Sequence, residues 1–509
     1  MMLPQVGDIY CVFSQKLQQY VACQVTHLKD GSSPKEPPLA AILELDWTGD
    51  TLPDEDTLHT MKPLVCNFYF WNDRFDHNYV SANVPPEYSF VGNIPPLVDQ
   101  EVTSYAGGWY NGNSIHNQRR WERIDATKRN LFKSASPDIE VVVGGQTLPQ
   151  NTTRINDLIL QKIEDFSELD KLPCLISIQT EQGTLELAHY INQNPLIHEL
   201  QWKSSIVTEL DLRQSHLNRL MLEPDHLITL YLNDDLVHFM LNSEPSPDLH
   251  IHSESDGRFI DLQCWNYFFQ FHGLDHLAGL SLVRIQEIDI NTIVERFPYL
   301  TELRISGKPG VVHHIQNLAK LPYLQTLNTD DLFGFEADEF PSPEQLPKLS
   351  TLWMSSIPAN VAKSVKTKYK KAATLGLDLS ITQPRKPEWL AENLLNPFRD
   401  WDGREHISAT NAKKAAQSYK KMLTTTRMID ASIHADTVYS MLEKMVTEYT
   451  ETFNKMDRGR GIIDTIEREE IYTVLDELLT ELQEQLGEQG KLLVYKDSLY
   501  ELFDELRDF

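Results

Sequence analysis

"VTELDLRQSHLNRLMLEPDHLITLYL", residues 207 to 232, sets an apolar LxxLxL phrase on a beat of ten residues. Val207, Leu210 and Leu212 open it, Leu217, Leu220 and Leu222 answer, and Leu227, Leu230 and Leu232 close it. Marked by its middle apolar residue, the phrase recurs at Leu175, Leu200, Leu210, Leu220, Leu230, Phe239, Leu249, Ile260 and Phe269. It continues at Leu280, Leu303, Leu327, Leu352 and Leu377. Taking alternate marks through the ten-residue zone leaves spacings of 25, 20, 19, 21, 20, 23, 24, 25 and 25 residues. That is the period of a solenoid whose coils bury their apolar residues against one another. The skipped marks, Leu210, Leu230, Leu249 and Phe269, fall half a coil out of phase. The ten-residue beat therefore reads as two strands per coil, one on each side. In the longer coils a helix replaces the second strand. "INTIVERFPYL" (290 to 300), "VVHHIQNLAKLPYL" (311 to 324) and "ANVAKSVKTKYKKAATL" (359 to 375) carry apolar residues at helical spacing.

These repeats, from 146 to about 385, resemble bacterial leucine-rich repeat proteins, although the Asn that usually follows the phrase is mostly missing. The inward leucines of each strand alternate with outward residues that line a concave sheet. In this register that face carries Lys203, Arg219, Met221, Glu223, His238, Met240, Asp261 and Gln263, then Arg304, Asn328, Asp330, Trp353 and Ser355. Asp211 and Tyr231 point to the opposite side. An outward Trp beside Arg, Met and Asp has the composition of a protein-binding surface. A face that is merely solvated is the alternative.

Residues 1 to 97 read as strands and turns. "GDIYCVF", "QYVACQVTHL", "LAAILELDW", "LVCNFYFW" and "HNYVSANVP" are rich in Val, Ile, Tyr and Phe. Polar or Gly/Pro stretches such as "KDGSSPKEPP" separate them, predicting a small, bent antiparallel sheet or barrel-like domain. "VGDIYCV" at Gly7 and Asp8, "QYVACQV", "AAILELDW" and "NVPPEYSFVGNIPP" (83 to 96) resemble the immunity protein 26 family of bacterial polymorphic-toxin systems. The resemblance implies a protein that binds and silences a toxin and performs no chemistry.

Residues 98 to 145 connect this region to the repeats and hold a basic stretch: Arg119, Arg120, Arg123, Lys128, Arg129 and Lys133. It is read as docking on the acidic C-terminal region, with contact to a toxin as the alternative. From 386 to 509 apolar residues recur at three and four, as in Val438, Met441 and Met445. Ile471, Leu475, Leu478, Leu479 and Leu482 repeat the pattern, predicting an acidic bundle of three or four helices with Ser408 or Thr410 as an N-cap. The expected fold class is thus multidomain α+β: an N-terminal antiparallel β domain, a leucine-rich-repeat-like solenoid and a C-terminal α-helical bundle.

The formal charge of −28 disfavours nucleic acid and anionic lipid and favours basic partners. Cys11, Cys23, Cys66, Cys174 and Cys264 are scattered and form no CxxC pair, which with the absence of a signal-peptide pattern suggests a reducing cytoplasm. Phosphate-loop, HExxH, GxSxG and GxGxxG signatures are absent. His250, His252, Glu254, Asp256, His272, Asp275 and His276 could hold a metal, or be exposed edge residues; no metal and no cofactor is expected. Asp400, Asp402, Arg404, Glu405 and His406 read as a tight turn cross-linked by Arg–Asp pairs rather than a hydrolytic cluster. The functional expectation is a cytoplasmic, non-enzymatic immunity protein that occludes the active site of a basic toxin, plausibly a nuclease. An adaptor or regulatory scaffold recognising another protein partner is the alternative.

Overall fold

The computed structural model describes residues 3–30, 38–100, 102–109, 112–203, 207–386, 388–389, 393–404, 406–430, 433–458, 461–487 and 490–509. The chain is mixed α and β: an antiparallel sheet comes first, parallel strands of a repeat solenoid follow, and helices close it. It divides into two compact units, Met1–Ser281 with Arg296–Leu303, and Leu282–Glu295 with Arg304–Phe509. No described helix is long and apolar enough to cross a membrane.

In the first unit the N-terminal strands Asp8–Ser14, Gln19–Lys29, Leu39–Gly49, His77–Ser81 and Ser89–Asn93 form one antiparallel sheet. Its order runs from His77–Ser81 through Leu39–Gly49, Gln19–Lys29 and Asp8–Ser14 to Ser89–Asn93. Both faces are covered. Ile9, Cys11, Ala22, Leu43 and Leu45 pack on one side, and Tyr10, Cys23, Val25, Ile42 and Val80 on the other. Two buried faces explain why "AAILEL" is a continuous apolar run rather than an alternating one. Register shifts at Ile9/Tyr10, Val21/Cys23 and Val25/His27 bend the strands. "LVCNFYFW" contributes only the two-residue strand Val65–Cys66 and then turns. The edge strand Ser89–Asn93 lies inside the Pro-flanked stretch and was not expected; proline is tolerated at a sheet edge.

The connecting segment is helical over Asn113–Arg123 and Ala126–Ser134. Ile115, Trp121 and Phe132 pack with Val12, Val21, Phe68, Cys174 and Leu196, so these helices fill the space between the sheet and the first coil. Half of the basic stretch is engaged within the first unit. Arg119 pairs with Asp46 and Glu122, Arg120 with Asp235, and Lys133 donates to the carbonyls of Tyr69 and Trp71.

The ten-residue beat becomes two separate parallel ladders. Ser177–Thr180, Glu199–Trp202, Arg219–Leu222, His238–Leu241 and Asp261–Trp265 pair in sequence, with Ile178, Leu200, Leu220, Phe239 and Leu262 in register. Glu209–Asp211, Thr229–Tyr231 and His250–His252 form the other, with Leu210, Leu230 and Ile251 in register. All eight of these apolar side chains are buried. The marks at Leu175, Ile260 and Leu249 slip by two or three residues from the positions that pair. Asn233, directly after Leu232, is buried, and its side chain donates to the Leu217 carbonyl at 2.8 Å.

The second unit carries the parallel strands Thr326–Phe333, Thr351–Ser355 and Asp378–Thr382, with Leu327, Leu352 and Leu379 in register, so the mark at Leu377 also slips by two. The expected coil helix at 359 to 375 forms as Ala359–Lys368 and Lys370–Thr374. The one expected at 311 to 324 does not. Val311 to His313 end the strand Glu302–His313, and only the 3-10 turn Ile315–Lys320 follows. His313 and His314 bind Glu287 and Asp289, each at 2.9 Å. Beyond the coils stand the helices Ala409–Arg427, Ala435–Asp457, Thr465–Gln485 and Lys496–Leu506. Val438, Leu442, Val446, Tyr449 and Phe453 pack there with Ile471, Leu475, Leu479, Leu499 and Phe503. Ser408 caps the first helix by accepting from the Asn411 amide.

Candidate protein-binding surface

Strand alternation sorts the main ladder of the first unit into inward and outward rows. Glu199, Arg219, His238 and Asp261 stand side by side in one outward row, and Gln179, Gln201, Met221, Met240 and Gln263 in the next. Lys203 and Glu223 extend the ladder by one step: their amides donate to the carbonyls of Thr180 and Trp202, both at 2.9 Å. The eight outward residues expected here, Lys203, Arg219, Met221, Glu223, His238, Met240, Asp261 and Gln263, are all exposed or half-buried, and none enters the core. Glu199, Gln179 and Gln201 belong to the same rows and were missed. Glu199 and Gln201 flank Leu200, and Gln179 follows Ile178, where the slipped first mark at Leu175 concealed it.

The face is polar at its edges and softer in the middle. Lys203 Nζ lies 2.9 Å from Glu181, a hydrogen bond that raises the lysine's pKa, and Arg219 sits 3.9 Å from Glu199. Between these charges the Met221 and Met240 thioethers offer polarizable, adaptable contact area. Exposed ion pairs of this kind contribute little to stability.

In the second unit Asn328, Trp353 and Ser380 share one outward row, and Asp330, Ser355 and Thr382 the next. Trp353 is 45% exposed, and its indole N–H donates to Asp378 at 3.0 Å, which fixes the ring on the surface. Arg304 is exposed on the strand Glu302–His313.

The smaller ladder of the first unit bears Asp211, Tyr231 and His252 in register, on the ladder opposite to the one carrying Arg219, as the repeat phase required. Its rings stack. Tyr231 lies on His252 at 4.9 Å between centroids, His250 on His272 at 4.6 Å, and the Arg213 guanidinium covers Tyr231 at 4.4 Å. These histidines are ring contacts of a strand edge, and His276 pairs with Asp256 at 2.8 Å. Among the described residues the group whose ligand atoms approach closely enough to share a metal is instead His406, Asp464 and Glu467. Arg404 already pairs with that Glu467 carboxylate and with Glu470, while Glu467 accepts from the Asp464 amide as a helix cap. The acidic turn is therefore bound outward rather than cross-linked within itself. Asp402 accepts from the Trp389 indole, and Asp400 lies 3.4 Å from Arg385. Glu405 lies outside the described residues.

No family model matches the chain, and no curated protein does. The expected resemblance of residues 1 to 97 to the immunity protein 26 family thus has no counterpart among the family models. Among solved structures, an internalin from Listeria monocytogenes str. 4b F2365 is similar, with 13% identity and a TM-score of 0.24. The match covers 44% of this chain and 65% of the internalin's, a little under two thirds of its length.

Proposed function

We propose that this chain is a protein-binding scaffold, without catalytic activity of its own, that docks a protein partner on the outward face of the main strand ladder. The observation carrying this reading is the pair of contiguous outward rows, Glu199–Arg219–His238–Asp261 beside Gln201–Met221–Met240–Gln263, held on hydrogen-bonded parallel strands. A rigid backbone presenting soft apolar contacts rimmed by both signs of charge lowers the ordering cost of association and supplies register. The test uses the full chain as bait in three forms: unchanged, M221D with M240D, and Y231D with H252D on the smaller ladder. A partner held by the first and third forms but lost from the second is expected. A partner retained by all three, or lost equally from both variants, removes the main ladder as the docking face.

Occlusion of a basic toxin domain, such as a nuclease, is a second, narrower reading. The net charge of −28 favours it, because opposite charge would draw such a domain onto this chain.

A further inference from the structure

A cavity of about 580 Å³ in the first unit opens between the N-terminal sheet, the two helices that follow it and the coil turns at 216 and 235. Its walls concentrate cationic residues in a strongly acidic protein: Lys16, Arg119, Arg120, Arg123 and Lys128, with the imidazoles of His116 and His216. The acidic wall residues are Asp125 and Asp235. Asp125 is committed as a helix cap, accepting from the Thr127 and Lys128 amides. Asp235 is surrounded: His116 and Arg120 approach it at 3.3 Å, His216 at 3.8 Å, and Lys16 donates to its carbonyl. Burial alone would raise the Asp235 carboxyl. The His116 and His216 contacts and the charges of Arg120 and Lys16 outweigh it and hold the group well below the usual carboxylate range.

Cation charge is left over after these pairings. Arg119 is engaged by Asp46 and Glu122, yet Arg123 and Lys128, across the turn between the two helices, have no carboxylate within ion-pair reach among the described residues. Arg120 Nε and His116 Nε2 face the Asp235 carboxylate at 3.3 Å and are held by it as ion-pair contacts. The volume falls within the roughly 300–1,000 Å³ of small-molecule sites. We propose that this pocket binds a compact, multiply charged anion of the phosphate class, with Arg123 and Lys128 gripping the phosphoryl oxygens and Lys16 and Arg120 supplying the field beneath. A guanidinium and an ammonium together suit phosphate, one as a planar fork and the other as a point charge.

Calorimetric titration of the full chain with inorganic pyrophosphate and, separately, with a nucleoside diphosphate tests the site at constant ionic strength. Saturable one-to-one binding of either is expected. Tighter binding of the nucleotide assigns the site to phosphate esters, and equal binding assigns it to the phosphate groups alone. R123Q with K128Q should weaken binding by about tenfold or more, with an unchanged melting temperature showing that the fold survives. K444Q with K455Q removes the same charge from the helix Ala435–Asp457 of the second unit and should leave affinity intact. Absence of saturable binding by both probes, or equal weakening in the two double variants, overturns the proposal.

Discussion

Glu44 sits in the N-terminal sheet with its carboxylate almost entirely out of water. One oxygen accepts from the Ile115 amide at 3.1 Å, at the start of the helix Asn113–Arg123, while the other has no partner. Burial, reinforced by the nearby Asp76 charge and opposed by the Ile115 and Ser114 amides, pushes its pKa up to about 8. A carboxyl that holds its proton more tightly when folded favours the native state below its unfolded pKa. That contribution is lost as pH rises from about 4.5 towards 8, on the order of a few kcal/mol in total. Glu44→Gln keeps an acceptor for the Ile115 amide and removes the titration. Its melting temperature should match the parent near pH 4.5 and exceed it increasingly up to pH 8. A constant difference across that range would show that Glu44 ionises freely in the fold. The neighbouring "GD" pair at Gly7 and Asp8 also gains a structural meaning. Gly7 has φ +94°, and a Cβ there would meet the Ile94 carbonyl at 2.5 Å, while Asp8 accepts from the Asn93 side chain at 2.8 Å. The pair fastens the edge strand Ser89–Asn93, a long-range role that local sequence did not disclose.

Among the elements, those with long apolar periods were legible and those fixed by pairing were less so. The helix Ala435–Asp457 buries Val438, Leu442, Met445, Val446, Tyr449 and Phe453 on a single stripe, and Val438 and Met445 already mark that stripe in the sequence. The repeat period was legible for the same reason: inward leucines recur because every coil must bury them. The finer register was not. In "DLHIH" both Leu249 and Ile251 are buried, yet only Ile251 stands in the ladder, and burial alone cannot choose between them. The outward Glu199 and Gln201 were overlooked although the mark at Leu200 between them stands in register. The rows make a stability prediction at this scale. Leu220→Ala opens a cavity between stacked coils and should destabilise the first unit by about 2–5 kcal/mol. Arg219→Ala, one residue away but outward, should stay within about 0.5 kcal/mol. Thermal denaturation followed by circular dichroism separates them; comparable losses would mean that Arg219 carries packing its exposure does not suggest.

At the scale of the whole molecule, 74 acidic residues oppose 46 Lys and Arg, and the excess is concentrated in places. The last 46 residues, 464 to 509, hold 14 acidic and 4 basic side chains. Some of this charge has an internal use, because Asp476 holds Lys496 at 2.9 Å and Glu477 holds Lys308 at 2.8 Å. What remains unpaired projects a negative field that reaches about 30 Å at 0.01 M salt and about 8 Å at 0.15 M. Such a field acts on encounter more than on the docked contact, because contacts formed after water is excluded are screened far less. If a basic partner such as a nuclease toxin is the physiological ligand, its association rate should fall steeply between those salt concentrations while its dissociation rate changes little. Stopped-flow mixing at stepped ionic strength reads both constants. An association rate independent of salt would leave the charge a solvating surface and the choice of partner to the outward strand rows alone.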